Sequence, residues 1–203
     1  MEKESRVLDE VRVLILGEGG AGKTSLTRCL VDEKFDQDEP TTNGISIREH
    51  LIQHDDKKFT LNIWDFGGHG IMDIAHQLFL STRSFYILVL AGGRDKHLEY
   101  WLRHIESFGG RSPVLIALNK QDINPGFMVN QRFLKKKYPQ ICGFFPISCA
   151  SGHGIKDLKK TFIQELTSEQ FTGTRWSTNW FAVKQALKEL PDPCISYKQF
   201  SQI

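Results

Sequence analysis

Eight residues constrain this chain more than any others. Gly17-Glu18-Gly19-Gly20-Ala21-Gly22-Lys23-Thr24, with Ser25 next, directly follows the apolar run Val11–Leu16 and opens a helix-forming stretch. The string fits G-x-x-x-x-G-K-[ST] in the strand-to-helix setting that such a loop requires. Glycines let backbone N–H groups close around phosphate oxygens with no side chain in the way. The helix starting near Lys23 turns its positive dipole end to the same point. A triphosphate tail fits this cradle, with Lys23 as a point charge on the β- and γ-phosphates and the Thr24 hydroxyl helping to hold Mg²⁺.

The surrounding pattern is α/β and doubly wound. Apolar runs alternate with helix-period stretches from Val11 to about Leu166, as in a mainly parallel sheet with helices on both faces. Buried strands are predicted at Val11–Leu16, Phe59–Trp64, Phe85–Ala91, Pro113–Asn119 and Gly143–Ile147, with a more alternating sixth strand at Ile45–His54. Only Asp55, Asp56 and Lys57 join the strands at 45–54 and 58–65. That link is too short for a crossover helix, so the two pair antiparallel. Helices are predicted at 23–32, 71–81, 95–108, 129–138 and 155–166. The third shows Leu98, Trp101, Leu102 and Ile105 on one stripe. Thr167–Thr174 is polar and turn-forming. Beyond it Trp180, Val183, Leu187 and Leu190 mark another amphipathic helix, stopped by Pro191-Asp192-Pro193, and a further helix opens near Ser196.

Composition narrows the function classes. With 40% hydrophobic residues among 203, the chain can fill one core. Its 26 Lys and Arg against 24 Asp and Glu are too balanced to wrap a polyanion, so nucleic acid is not an expected partner. The longest apolar stretch, Phe85 to Ala91, is far below the roughly 20 residues of a membrane-spanning helix. MEKESRVLDE is charged and lacks the apolar run of a secretion signal, so a cytoplasmic location is expected, and the final Phe200-Ser201-Gln202-Ile203 lacks a Cys, so prenyl anchoring is not expected. Cys29, Cys142, Cys149 and Cys194 form no C-x-x-C pair, which suggests free thiols. The basic clusters Lys135–Lys137 and Lys156–Lys160 read as solvated helix faces, and His97 with His104, seven apart, does not have metal-ligand spacing.

Two further motifs complete a site. Asp65-Phe66-Gly67-Gly68-His69 stands at the carboxyl end of the strand Phe59–Trp64, where ligands lie in open sheets. There Asp65 reaches Mg²⁺ through water and Gly68 offers its N–H to the γ-phosphate, so the segment starting there senses that phosphate. Asn119-Lys120-Gln121-Asp122 ends the run Pro113–Leu118. Asp122 accepts hydrogen bonds from guanine N1–H and the 2-amino group, whereas adenine presents an acceptor at N1 and no amino group. Asn119 and Lys120 brace the loop and flank the base.

These three motifs occur in the order and rough spacing of Ras-like GTPases, which residues 11–166 resemble. The resemblance implies a P-loop NTPase fold with GTP and GDP as substrate and product. It makes Ser148-Cys149-Ala150 the loop whose backbone touches the base oxygen, with Ala150 where relatives carry Lys. Phe35, thirteen residues after Gly22, resembles the aromatic that packs edge-on to guanine. For the Thr that binds Mg²⁺ and the γ-phosphate in the first switch, Thr41 or Thr42 can serve, and Thr42-Asn43-Gly44 matches the T-x-G form. His69 replaces the water-positioning Gln and resembles the His of translational GTPases. It either orients water or decorates an exposed loop.

A narrower likeness lies in Trp64-Asp65-Phe66-Gly67-Gly68, His76-Gln77 before Phe79, Tyr100 to Glu106, and Pro113-Val114 ahead of Asn119-Lys120. Together these resemble the Roc domain of Roco proteins. Trp180 to Lys184 and Ile195-Ser196-Tyr197 look like the opening of the COR segment that follows Roc. The implied organisation is a lead at 1–10, the G domain at 11–166, a linker at 167–175 and a truncated COR start at 176–203. It also implies COR and leucine-rich repeat domains in cis and a homodimer through COR. Arg94, after Gly92-Gly93, is the candidate arginine for charge neutralisation across such a dimer. The implied activity is slow, Mg²⁺-dependent GTP hydrolysis coupled to switch-loop movement. The competing readings are a nucleotide-retaining scaffold with vestigial hydrolysis and, in conflict with Asp122, an ATP-using P-loop enzyme.

Overall fold

The computed structural model describes residues 5–7, 10–31, 35–42, 44–54, 57–67, 79–92, 97–167, 175–191 and 195–201. In chain order the strands are β1 (Ser5–Val7), β2 (Glu10–Leu16), β3 (Ile45–His54), β4 (Lys57–Phe66), β5 (Ser84–Leu90), β6 (Val114–Leu118), β7 (Ile141–Pro146) and β8 (Arg175–Ser177). The helices are α1 (Lys23–Leu30), α2 (Leu98–His104), α3 (Gln131–Lys137), α4 (Ile155–Leu166), α5 (Thr178–Lys188) and the short α6 (Tyr197–Phe200). Two compact units result, Glu10–Phe171 and a second made of Met1–Asp9 with Thr172–Ile203.

The larger unit carries a six-stranded sheet in the order β3-β4-β2-β5-β6-β7. Every neighbouring pair runs parallel except β3 and β4. All six expected strands and the expected hairpin are present. The central strands are apolar because both of their faces are covered. In β5 all seven residues are buried. Phe85, Ile87 and Val89 join one core cluster with Leu26 of α1 and Leu158 and Phe162 of α4. Tyr86, Leu88 and Leu90 join the other, with Trp101 and Leu102 of α2 and Leu134 of α3. Full burial of such side chains stabilises by about 1.5–3 kcal/mol each. The edge strand β3 has no such cover and leaves Ile47 and Leu51 exposed.

Helix boundaries differ from expectation in instructive ways. The helix expected at 95–108 starts at Leu98 and continues beyond His104 as a π-helical turn, Ile105–Gly109. That turn brings Gly109 against the Tyr86 ring, where a Cβ would come within 2.9 Å. Asn130 caps α3 by accepting a hydrogen bond from the Phe133 N–H, which sets its start at Gln131. The helix expected at 71–81 lies outside the described residues except at 79–81. In the second unit, β1 and β8 pair antiparallel, with Arg6 opposite Trp176. The sequence pattern gave no sign of that pairing.

The topology positions the site. β2 and β5 are neighbours, and the chain runs from β2 to β3 on one side of the sheet and from β5 to β6 on the other. At such a switch point the loops at the carboxyl ends of the strands open into a crevice. The loops after β2, β4, β6 and β7 carry residues 17–22, 67, 119–122 and 147–150.

Candidate functional site

The loop after β2 is held by the helix it feeds. Gly22 caps the start of α1 with φ +92°, and a Cβ there would lie 2.3 Å from Asn119 Nδ2. Only glycine tolerates both demands. The first turn of α1 carries no acidic residue, so its N–H groups and positive dipole end remain suited to an anion. Lys23 is buried at 6% exposure, and its Nζ donates to the carbonyls of Gly17 at 2.9 Å and Glu18 at 3.0 Å. An ammonium in such surroundings is held at the mouth of the loop by neutral acceptors.

At the carboxyl end of β4 three oxygen-bearing side chains meet. Thr24 Oγ1 donates to Asp65 Oδ2 at 2.6 Å and lies 2.8 Å from Thr42 Oγ1. Asp65 is 1% exposed, and its Oδ1 has no hydrogen-bond partner among the described residues. Burial pushes its carboxyl above the usual range, against the hydrogen bond from Thr24 and the charge of Lys23. Hard oxygen donors around a buried carboxylate with a spare lone pair fit Mg²⁺. Among the described residues no group of three His, Cys, Asp or Glu side chains offers a competing cation position. Gly67 closes the arrangement: its N–H donates to Gly44 O at 2.8 Å, and a Cβ would fall 2.3 Å from Thr42 O.

At the other end a single amide ties three loops together. Asn119 Nδ2 donates to Ala21 O at 2.9 Å, and its Oδ1 accepts from the Cys149 N–H at 3.2 Å. Asn119 is 3% exposed, so both contacts are shielded from competing water. Lys120 adopts a left-handed φ of +63°, a conformation that costs a non-glycine residue about 1–2 kcal/mol. Its carbonyl accepts from the N–H groups of Ile123 and Asn124, and this tight turn places Asp122 at the cavity wall. Gln121 anchors the turn from behind by donating to the carbonyls of Leu118 and Phe127.

Between the two ends lies one cavity of about 310 Å³. Of the expected site residues, Gly19, Gly20, Gly22, Lys23, Thr24, Ser25, Phe35, Thr42, Asn119, Lys120, Asp122, Cys149 and Ala150 line it. Other expected residues sit beside it. Gly17 and Glu18 supply the carbonyls on Lys23, and Ala21 accepts from Asn119. Ser148 is buried with its Oγ accepting from the Ser151 N–H. The Glu18 carboxylate turns away toward His97, 3.6 Å distant. Gly68, His69 and Arg94 lie outside the described residues.

Sequence reasoning missed part of the wall. Asp36, Gln37, Glu39 and Pro40 line the cavity beside Thr41 and Thr42, as does Ile123 beside Asp122. The loop is held there by Arg28 of α1, whose Nη1 lies 2.7 Å from Glu39 Oε2 and 3.9 Å from Asp36 Oδ2. An acidic residue eight to eleven positions after an Arg carries no local pattern, so only the fold exposes this pair.

Comparison with known proteins places the arrangement. The family model described as Roc, "Ras of Complex, Roc, domain of DAPkinase", matches residues 12–122. A solved structure of Methanosarcina barkeri Roco2 RocCORdC bound to GDP is 47% identical with a TM-score of 0.90, covering all of this chain and 62% of that one. A Roc-COR-CHAT protease of Runella zeae is 28% identical over 94% of this chain and 23% of its own length. The Ras-related protein Rab7 of Cenchrus ciliaris is 27% identical over 72% of this chain and 77% of its own. This chain thus spans less than a quarter of the bacterial relative.

Proposed function

This chain belongs to the Roc (Ras of Complex) family of domains, and on that premise we propose that it is a guanine-nucleotide switch that binds GTP and GDP and hydrolyses GTP slowly. The observation that carries this reading is the joining of two chemistries by one cavity. Lys23, Thr24, Thr42 and Asp65 stand at one end, and Asn119, Asp122 and Cys149 at the other. The GDP bound to the Methanosarcina relative supports it.

Backbone N–H groups of residues 19–24 surround the phosphates, and Lys23 moves its Nζ from two carbonyls to β- and γ-oxygens. Mg²⁺ would supply positive charge to offset that of the phosphate oxygens. Thr24 and Thr42 would ligate it directly and Asp65 through water. Asp122 accepts from guanine N1–H and the 2-amino group, while adenine would leave its carboxylate facing an acceptor. Phe35 covers the edge of the base, and the backbone of Ser148, Cys149 and Ala150 meets its oxygen. Gly68 donates its N–H to the γ-phosphate, His69 orients the attacking water, and Arg94 neutralises charge across a dimer. Loss of the γ-phosphate releases Thr42 and the segment from Asp65 to Ser81.

In the whole protein this activity serves a larger assembly. The G domain spans 11–166, with 1–10 as a lead and 167–175 as a linker. Residues 176–203 open a COR segment through which two copies pair, and leucine-rich repeats stand in cis, in the cytoplasm. Among the described residues no helix is long and apolar enough to cross a membrane.

Single-turnover GTP hydrolysis in Mg²⁺, run beside Lys23→Ala, tests the reading. Slow turnover that vanishes in Lys23→Ala is expected. Equal background rates in both would instead mark a nucleotide-retaining scaffold, and displacement of GDP by ATP at comparable concentration would mark an ATP-using enzyme.

A further inference from the structure

We propose that Cys29 and Cys149 form a redox-reversible thiol pair whose closure to a disulfide loosens the base-contacting loop and speeds release of nucleotide. The pairing stands on geometry alone. Its effect on nucleotide rests on the function proposed above.

The two residues are 120 positions apart, yet Cys29 Sγ lies 3.9 Å from the carbonyl oxygen of Cys149. Both belong to the same apolar cluster, Cys149 as a buried member and Cys29 packed at its border. Cys29 is half-buried and faces Cys149 from α1, while Cys149 sits in the loop after β7. Their roles are unequal. Cys29 Sγ donates to the Cys149 carbonyl, and the hydrogen bond that its thiolate can accept from the Cys149 thiol, with Lys159 and Arg28 nearby, lowers the Cys29 thiol to about 7, while burial opposes it. The same hydrogen bond and its own burial push the Cys149 thiol up. Cys29 is therefore the nucleophile and Cys149 the resolving thiol. Cys142 packs on the same cluster, but its Sγ donates to Gln140 O at 3.6 Å and burial pushes it up to about 12. That thiol stays inert.

The oxidant is a hydroperoxide. Cys29 thiolate attacks the peroxide O–O bond, giving Cys29 sulfenic acid and releasing hydroxide, which takes up a proton as water. The Cys149 sulfur then attacks the Cys29 sulfur, its proton leaving with the sulfenic oxygen as a second water. Two thiols lose two electrons and two protons, and one hydrogen peroxide becomes two waters. Reduction by a dithiol reverses the change.

Closure reaches the nucleotide through one hydrogen bond. A sulfur–sulfur bond of about 2.05 Å requires the two Cβ atoms to come within about 3.8 Å. This draws Cys149 toward α1 and away from Asn119, whose Oδ1 holds the Cys149 N–H. Asn119 then grips the phosphate loop alone.

The test uses the full 203-residue chain loaded with fluorescent GDP in Mg²⁺ and treated with hydrogen peroxide. Linked peptides are mapped by mass under non-reducing conditions, and GDP release is timed before and after dithiothreitol. A Cys29–Cys149 peptide should form. Release should quicken about tenfold, the change that one lost hydrogen bond gives, and dithiothreitol should reverse it. Cys29→Ser should keep the basal rate and ignore peroxide, while Cys142→Ser should still respond. Absence of the linked peptide overturns the pairing, and quickened release in Cys29→Ser overturns its role in release. A reduced chain that does not take up GDP would contradict the proposed function instead, since the linked peptide is read by mass without nucleotide.

Discussion

The two ends of the cavity are built differently. At the end bearing Asp122, backbone groups are fixed between strand termini. Ile147 N–H donates to Leu118 O, Gln121 N–H to Ile147 O, and the Asn119 amide spans Ala21 and Cys149. At the end bearing Lys23, contact is made by side chains that can change partner. The ammonium sits on two carbonyls, two hydroxyls lie 2.8 Å apart, and a buried carboxylate keeps one oxygen without a partner among the described residues. With both thiols reduced, these contacts fix the first end. The second has groups that a cation and a phosphate can reorganise, so information about the bound phosphate enters there.

Breaking the reorganising end gives the largest effect. Lys23→Ala removes charge-assisted hydrogen bonds to phosphate, and GDP affinity should fall by about 3 kcal/mol, more than a hundredfold. Equilibrium titration reads it, and the melting temperature without nucleotide should change little by comparison. Asn119→Ala breaks the fixed end. It leaves Ala21 O and the Cys149 N–H unpaired in buried surroundings, costing about 2–3 kcal/mol. Unlike the lysine variant it should lower the nucleotide-free melting temperature, by about 4–10 °C, as well as weaken GDP. If the asparagine variant melted like the parent, the contrast between the ends would fail.

The smallest effect has the opposite sign. Burial raises the Asp65 carboxyl above its usual range, so its ionised form costs the fold stability. That cost is absent below the pH at which the unfolded carboxyl titrates and grows as pH rises through the folded one. Asp65→Asn removes it, so near neutral pH the nucleotide-free variant should melt about 2–4 °C higher and lose that pH dependence. Mg²⁺ should tighten nucleotide binding less in it than in the parent chain. A lower melting temperature would mean that the Thr24 contact outweighs burial.

This contrast also marks what the sequence reveals. Strands β5 and β6 announce themselves because burial on both faces demands apolar runs, and Leu98, Trp101, Leu102 and Ile105 show their helix through period. The loops at 17–24 and 119–122 are legible because close backbone approach and base recognition demand particular residues at fixed spacing. What stays hidden depends on partners distant in sequence. Nothing local in Ser5–Val7 predicts its pairing with Arg175–Ser177, in Arg28 its grip on Glu39, or in Cys29 its approach to Cys149. The π turn at Ile105–Gly109 escapes because the apolar stripe runs into it without interruption.

Calorimetric titration of the nucleotide-free chain with GDP and with ADP in Mg²⁺, repeated on Asp122→Ala, tests the central claim most directly. One GDP should bind per chain, with ADP at least about tenfold weaker, the cost of a mismatched carboxylate, and the gap should close in the variant. Equal binding of the two nucleotides by the parent chain, or a gap that survives loss of Asp122, would contradict it.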